Sequence, residues 1–358
     1  MFSAKSLKDI YDSGFVGASV DPRADEEFED SIIRSGGNPN GAEIAHQWEF
    51  ADSGKGKLVL PFLHVETVFP GCWPGPLRKG AHWTRPRYGA FLPRCSADGP
   101  QNRGDCVAKG CANALLLTTA CEIVEARPDE ITGKIEGAPQ LSREGVKNIP
   151  IASESLWAWR GHSGEGWVCS KAAMVSGSKG FLVRKPYPDL GIDLTKYTKE
   201  TNRLGGSRPP GRKWLEESQK HTARTATTLK TREEVRDFLH AGYGVFNCSN
   251  LGFSSTRKAP YGFSSQKGRW AHSQSLIGWD ERPETVKQFG QPLVCWLNSW
   301  GKSWNSGQRQ IYKTPYEIPH GSFWTLSSTL DQCRCIALSS VAGWPARKLP
   351  SYGATGNI

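Results

Sequence analysis

Apolar positions along this chain follow two different rhythms, and the change between them predicts its architecture. From Cys106 to about Ala126 they cover more than one helical face (Val107, Cys111, Ala114, Leu115, Leu117, Ile123, Val124), which predicts a helix buried at the centre of the molecule. Asp105 is placed to cap this helix and Pro128 to end it. Shorter helices are predicted over 155–159, 170–176 and 231–239, the last with Thr231 and Glu234 in capping-box spacing. After Ala241-Gly242-Tyr243-Gly244 short apolar runs take over and predict strands at 245–248, 275–279, Leu293–Leu297, 310–312 and Cys333–Leu338. Earlier in the chain, 25–34 reads as a short helix with an acidic first turn, 58–69 as a strand-like stretch, and 70–100 as turns anchored by Trp73, Trp83, Tyr88 and Phe91. A helical half followed by a β half is an α+β layout.

Composition narrows this picture. The 358 residues can build one large domain or two moderate ones, and 14 tryptophans supply material for a core. The 39 glycines and 23 prolines favour long defined loops over a helical bundle. No apolar run is long enough to span a membrane, and Met1-Phe2-Ser3-Ala4-Lys5 runs into charged residues, so neither a membrane span nor a secretion signal is expected. The ten cysteines are scattered and several fall in apolar runs, so most are expected to be buried thiols of a reducing cytoplasm. Cys333-Arg334-Cys335 has poor zinc spacing, and no metal site or cofactor is expected. The net charge of +10 favours anionic contacts, yet the basic stretch 196–236 is interrupted by glutamates and reads as a solvated mixed-charge surface. No nucleic-acid-binding motif accompanies it. The glycine-rich segment 36–41 sets off residues 1–45 as an N-terminal arm, and 341–358 reads as a tail.

The candidate chemistry begins at Asn298-Ser299-Trp300-Gly301-Lys302-Ser303-Trp304, directly after the apolar run Leu293–Leu297. An Asn there can accept a hydrogen bond from a histidine ring, and Trp300 can shield that bond from water. A histidine, His272, stands at the head of a predicted strand, and Gln101-Asn102-Arg103-Gly104-Asp105-Cys106 opens the long helix. A thiol at a helix start gains from backbone N–H groups and the macrodipole, both of which favour thiolate. Each piece also has an ordinary reading: a packed cysteine, a structural histidine, a turn asparagine. The ordered combination is what is specific.

That order, Gln101, Cys106, His272, Asn298-Ser-Trp-Gly, resembles the papain-like cysteine peptidases. The resemblance runs over about 95–335 and includes Glu154-Ser155-Leu156-Trp157 and Gly164-Glu165-Gly166. The compact Gln-x-x-Gly-Asp-Cys-Val form looks most like papain-like proteins of tailed bacteriophages. The resemblance implies a two-lobed α+β fold over about 46–340. A helical lobe (about 100–190) would hold the central helix from Cys106, and a β-barrel-like lobe (about 225–340) would carry His272 and Asn298. It implies Cys106 as nucleophile, His272 as its base and acid, Asn298 as the group orienting His272, and Gln101 as an oxyanion donor. Trp300 and Trp304 would shield the site, and Gly164 and Gly166 would line the substrate cleft. The implied substrate is a protein or peptide, cleaved in the host cytoplasm or the virion. Three departures stand out: Gln101 is one residue nearer Cys106 than in the family, Val107 replaces a tryptophan, and Ser273 replaces a small apolar residue. The alternative is a structural virion protein that keeps the fold and uses 1–45 and 341–358 to bind its neighbours.

Overall fold

The computed structural model describes residues 18–19, 21–34, 52, 54–68, 101, 103–126 and 151–338. The tail 341–358, the turn-rich stretch 70–100, Cys72, Cys95 and Pro128 lie outside the described residues. The main helices are α1 (Pro22–Arg34), α2 (Phe62–Val68), α3 (Cys106–Ala126), α4 (Ser153–Trp157), α5 (Cys169–Ser178) and α6 (Arg232–His240). The main sheet holds β1 (Leu58–Val59), β2 (Ala226–Leu229), β3 (Gly244–Ser249), β4 (His272–Asp280), β5 (Leu293–Leu297), β6 (Ser322–Leu326) and β7 (Cys333–Leu338). Its order is β6-β5-β4-β3-β7-β2, with β1 paired to the far end of β4, and every pairing is antiparallel.

Helix α3 serves two cores. Its first half (Val107, Cys111, Ala114, Leu115) is buried with Phe28, Leu156, Trp157 and Ala173 from α1, α4 and α5. Its second half (Leu116, Leu117, Ala120, Cys121) is buried with Phe62, Val65, Phe238, Val245 and Trp279. Contact on several sides explains why its apolar residues follow no single stripe. The helix also lies very close to the sheet. A Cβ on Gly244 would meet the Ala114 carbonyl oxygen at 1.8 Å, and one on Gly110 would meet Ser273 Oγ at 2.6 Å. Thr118 Oγ1 accepts the Gly244 N–H at 2.8 Å and donates to the Leu338 carbonyl at 2.7 Å, satisfying polar groups in this dry seam. The result is a two-lobed α+β arrangement, with α3 in the helical lobe and His272 and Asn298 on the β lobe.

Several elements differ from the sequence-based expectation. The stretch 58–69 splits into β1 and α2, because Pro61 cannot donate to a ladder while Phe62 and Val65 share one buried helical face. No strand forms at 310–312; Gln310 makes an isolated bridge to Glu317. β4 does start at His272, the histidine expected at its head, and its polar His272, Ser273 and Gln274 are paired with β3 and buried. β2 and β6 were not anticipated, because threonine and serine dilute their apolar pattern. α6 has its cap: Thr231 Oγ1 accepts the Glu234 N–H at 3.1 Å. Arg236, read as part of a solvated surface, is buried against Asp237 at 2.7 Å.

Two further features were not expected. Cys169 and Cys248 form a disulfide that ties the start of α5 to β3, because the packing of the two lobes brings these distant thiols together. The other described cysteines are free thiols, most of them buried. The described part of the 1–45 arm is not separate from the core. Ala18–Ser19 pairs in parallel with Trp167–Val168, and Phe28 is fully buried in the helical lobe. Asp25 accepts a hydrogen bond from Ser170 on α5, and Glu29 pairs with Arg334 of β7 at 3.3 Å. Asp25 and Glu29 of its acidic residues face those partners, while Glu26, Glu27 and Asp30 are exposed.

Phe28→Ala is expected to lower stability by about 3–5 kcal/mol, the usual cost of emptying a buried phenylalanine site. Urea unfolding of the full chain measures it. A loss below about 0.5 kcal/mol, the range of surface substitutions, would return α1 to the status of an arm.

Candidate active site

Three elements meet where the lobes join. α3 begins at Cys106, β4 begins at His272, and Asn298 follows the last residue of β5. The ladder fixes the second and third of these, since Leu297 pairs with Ser275 and His272 with Ser249. The Asn298 N–H donates to the Gly321 carbonyl at 3.3 Å and holds the turn against β6. His272 Nε2 lies 2.9 Å from Asn298 Oδ1. Opposite a carbonyl oxygen Nε2 must carry the proton, which leaves the Nδ1 lone pair of a neutral ring free to act as a base.

An aromatic cage covers this bond. Trp300 stacks on the His272 ring, with centroids 4.7 Å apart and planes inclined by 29°. Trp304 meets Trp300 edge-on at 5.6 Å. Trp270, which sequence reasoning missed, packs against Trp300 at 4.7 Å and turns its edge to His272 at 6.4 Å. It sits two residues before His272 in an irregular segment, where no periodicity marks it. Its nearness to the histidine in sequence was the one available signal.

Cys106 is fully buried, and His272 and Asn298 are 3% and 5% exposed. Burial pushes the thiol up to about 12, against backbone amides of Ser273, Val107 and Cys106 that favour thiolate and the Asp105 carboxylate that opposes it. Burial pulls His272 down to about 4, against the Asn298 hydrogen bond. No hydrogen bond joins the Cys106 sulfur to the His272 ring; the sulfur instead faces the amide of Ser273, the next residue on β4. The resting pair is therefore a thiol and a neutral imidazole. Asp105 holds the α3 entry with its backbone carbonyl, which accepts the Lys109 N–H at 3.0 Å, while its carboxylate accepts from Tyr197 at 2.8 Å.

The Gln101 side chain is engaged within its own loop and with the Asn298 turn. Its Nε2 donates to the Arg103 carbonyl at 2.5 Å, its Oε1 accepts from Ser299 Oγ at 2.7 Å, and its backbone N–H bonds to the Ser299 carbonyl at 2.9 Å. Its amide thus ties the loop before α3 to the Asn298 turn, because the shortened Gln-to-Cys spacing brings it against its own loop. The glycine segment is close to the thiol. The Gly166 N–H donates to the Gly104 carbonyl at 3.1 Å, two residues before Cys106, and a Cβ on Gly104 would lie 2.7 Å from the Gly166 nitrogen. Glu165 accepts from the Gly104 N–H and pairs with Arg103 at 2.9 Å, while Gly164 accepts from Arg160 Nε at 3.3 Å. Among the described residues no group of three His, Cys, Asp or Glu could hold a metal ion.

No protein-family model and no curated protein matches the chain. Solved structures do resemble it. Xylellain, a cysteine protease from Xylella fastidiosa, matches at 14% identity and a TM-score of 0.39, covering 66% of this chain and 80% of that one. The cysteine protease and lectin-like domains of Cwp84, a surface-layer-associated protein of Clostridium difficile, match at 14% identity and a TM-score of 0.39, over 68% of this chain and 48% of that one. The bromelain protease from Ananas comosus matches at 13% identity and a TM-score of 0.35, over 68% of this chain and 92% of that one.

The buried thiol sets an expected pH response. With Cys106 raised to about 12, its alkylation by a small neutral reagent should climb about tenfold per pH unit between pH 7 and 10, following the thiolate fraction. Mass-spectrometric quantification of labelled Cys106 measures this. A rate that is flat over that range would mean that the thiolate–imidazolium pair already exists in the resting protein.

Proposed function

We propose that this chain is a papain-like cysteine peptidase that cleaves peptide or isopeptide bonds. The observation that carries the reading is the His272–Asn298 bond under Trp300, on a strand whose next amide faces the Cys106 sulfur. In the proposed reaction His272 Nδ1 takes the thiol proton and Cys106 Sγ attacks the substrate carbonyl. The oxyanion receives the Cys106 backbone N–H and, once it turns from the Arg103 carbonyl, the Gln101 amide. His272 then returns its proton to the leaving amine, and water hydrolyses the acyl-enzyme with His272 again as base. Asn298 keeps the ring in one tautomer and orientation throughout. Since burial opposes both charges, the pair becomes competent when the cleft opens and substrate or water supplies polar contacts.

The second reading is a structural protein of a bacteriophage virion with a silent site, and complete burial of Cys106 is the observation that favours it. Hydrolysis of a peptide library by the purified protein separates the two. A live site predicts complete loss in Cys106→Ala and His272→Ala and a smaller loss in Asn298→Ala, since Asn only orients the base. Gln101→Ala should cost on the order of 10²-fold in kcat if the amide reaches the oxyanion. An unchanged rate in Gln101→Ala assigns the oxyanion to other donors. Absence of any thiol-dependent hydrolysis selects the structural reading.

A further inference from the structure

The cavity beside the glycine segment has a charge pattern that the proposed chemistry does not use. It encloses about 170 Å³ and is lined by Arg160, His162, Glu165, Gly166, Trp167 and Lys171, together with Val168. At roughly 30 Å³ per water, this space accepts a carboxylate with its stem. We propose that it is a cationic subsite that receives an aspartate or glutamate side chain of the peptide substrate, close to the scissile bond. The proposal rests on the peptidase reading and gives it a substrate class.

Three cations, Arg103, Arg160 and Lys171, gather around Glu165, with the Asp105 carboxylate also within electrostatic range of Arg160. Glu165 is committed to Arg103 at 2.9 Å and to the Gly104 N–H, and neither carboxylate forms an ion pair with Arg160 or Lys171. Arg160 is 7% exposed, lies 4.1 Å over the Trp157 ring, and is held by the Gly164 carbonyl at 3.3 Å and the Trp157 carbonyl at 3.0 Å. Those bonds use Nε and Nη1, and Nη2 makes no hydrogen bond to the described residues. A guanidinium fixed this way is pre-organised for a carboxylate. Lys171 projects from the exposed face of α5 without an ion pair among the described residues. His162 feels both cations: burial lowers its pKa first, then Arg160, while Glu165 opposes and Lys171 adds to the lowering. The Gly166 N–H on the Gly104 carbonyl places this cavity one short segment from Cys106. An acid bound there belongs to a residue near the cleaved bond.

The test uses the full-length protein and fluorogenic peptides that differ only by Glu, Gln or Lys at each position flanking the bond. At one position Glu should be preferred over Lys by tenfold or more in kcat/KM. Lys171→Glu should reverse that preference, Lys171→Gln should weaken it, and the charge-matched control Lys287→Glu, on the exposed face of a helix in the other lobe, should leave it intact. Anisotropy of the dye-labelled Glu and Lys peptides on Cys106→Ala reads binding without turnover. Cleavage with no charge preference overturns the subsite and leaves the peptidase reading standing. Glu-selective, Lys171-dependent binding without any thiol-dependent cleavage overturns the peptidase reading and, with it, the subsite's place beside a scissile bond. Failure of Cys106→Ala to bind the Glu peptide more tightly than the Lys peptide overturns the subsite.

Discussion

The close packing of α3 on the sheet is the constraint from which the rest of the site follows. Gly244 and Gly110 bring helix and strands together at distances that no side chain would tolerate. Ser275 Oγ bonds to the Gly110 carbonyl at 2.8 Å across the same seam. With α3 held at that height, its first residue is level with the first residues of β4. Cys106 then faces the Ser273 amide, and the neighbouring His272 stands at the same edge. A shift of α3 by one turn, about 5.4 Å, would separate thiol and strand. The placement of the thiol beside His272 therefore depends on two glycines that take no part in the proposed reaction.

Burial then sets the electrostatics. A dry, tryptophan-covered pocket strengthens the His272–Asn298 hydrogen bond. The same dryness disfavours ions, which raises the thiol and lowers the imidazole. Precise orientation and a neutral resting state thus share one cause. In the proposed peptidase the thiol and the imidazole would stay in place but uncharged until solvent or substrate entered.

The loops around the pocket are cross-tied by polar contacts in addition to the tryptophan packing over His272. Gln101 links the α3 entry to Ser299, and Arg103 and Gly104 link it to Glu165. The Cys169–Cys248 disulfide joins the lobes at the next position along, with Cys169 Sγ 3.8 Å from Ser273 Oγ. These ties connect residues far apart in sequence. They bring both the glycine segment and the Asn298 turn against the loop before Cys106, and the positive cavity lies along that glycine segment.

The sequence alone determined what local chemistry determines. Apolar saturation from Cys106 onward required a helix buried on several sides, the run Leu293–Leu297 required a strand, and Asn298 between flanking apolar and aromatic residues pointed to a shielded histidine. What it did not determine depended on distant partners. β2 and β6, the two end strands of the sheet, form because pairing with β7 and β5 and the packing around them bury their threonines and serines. The acidic helix α1 joins the core because Phe28 finds α3 and α5, and its carboxylates find Ser170 and Arg334. Gln101 turns inward because Ser299 and the Arg103 carbonyl are within reach. Cys169 and Cys248 pair because the lobes meet there. Periodicity and motif order are properties of neighbours along the chain. Which polar group finds a partner, and which cation is left without one, is a property of neighbours in space, and only the tertiary structure decides it.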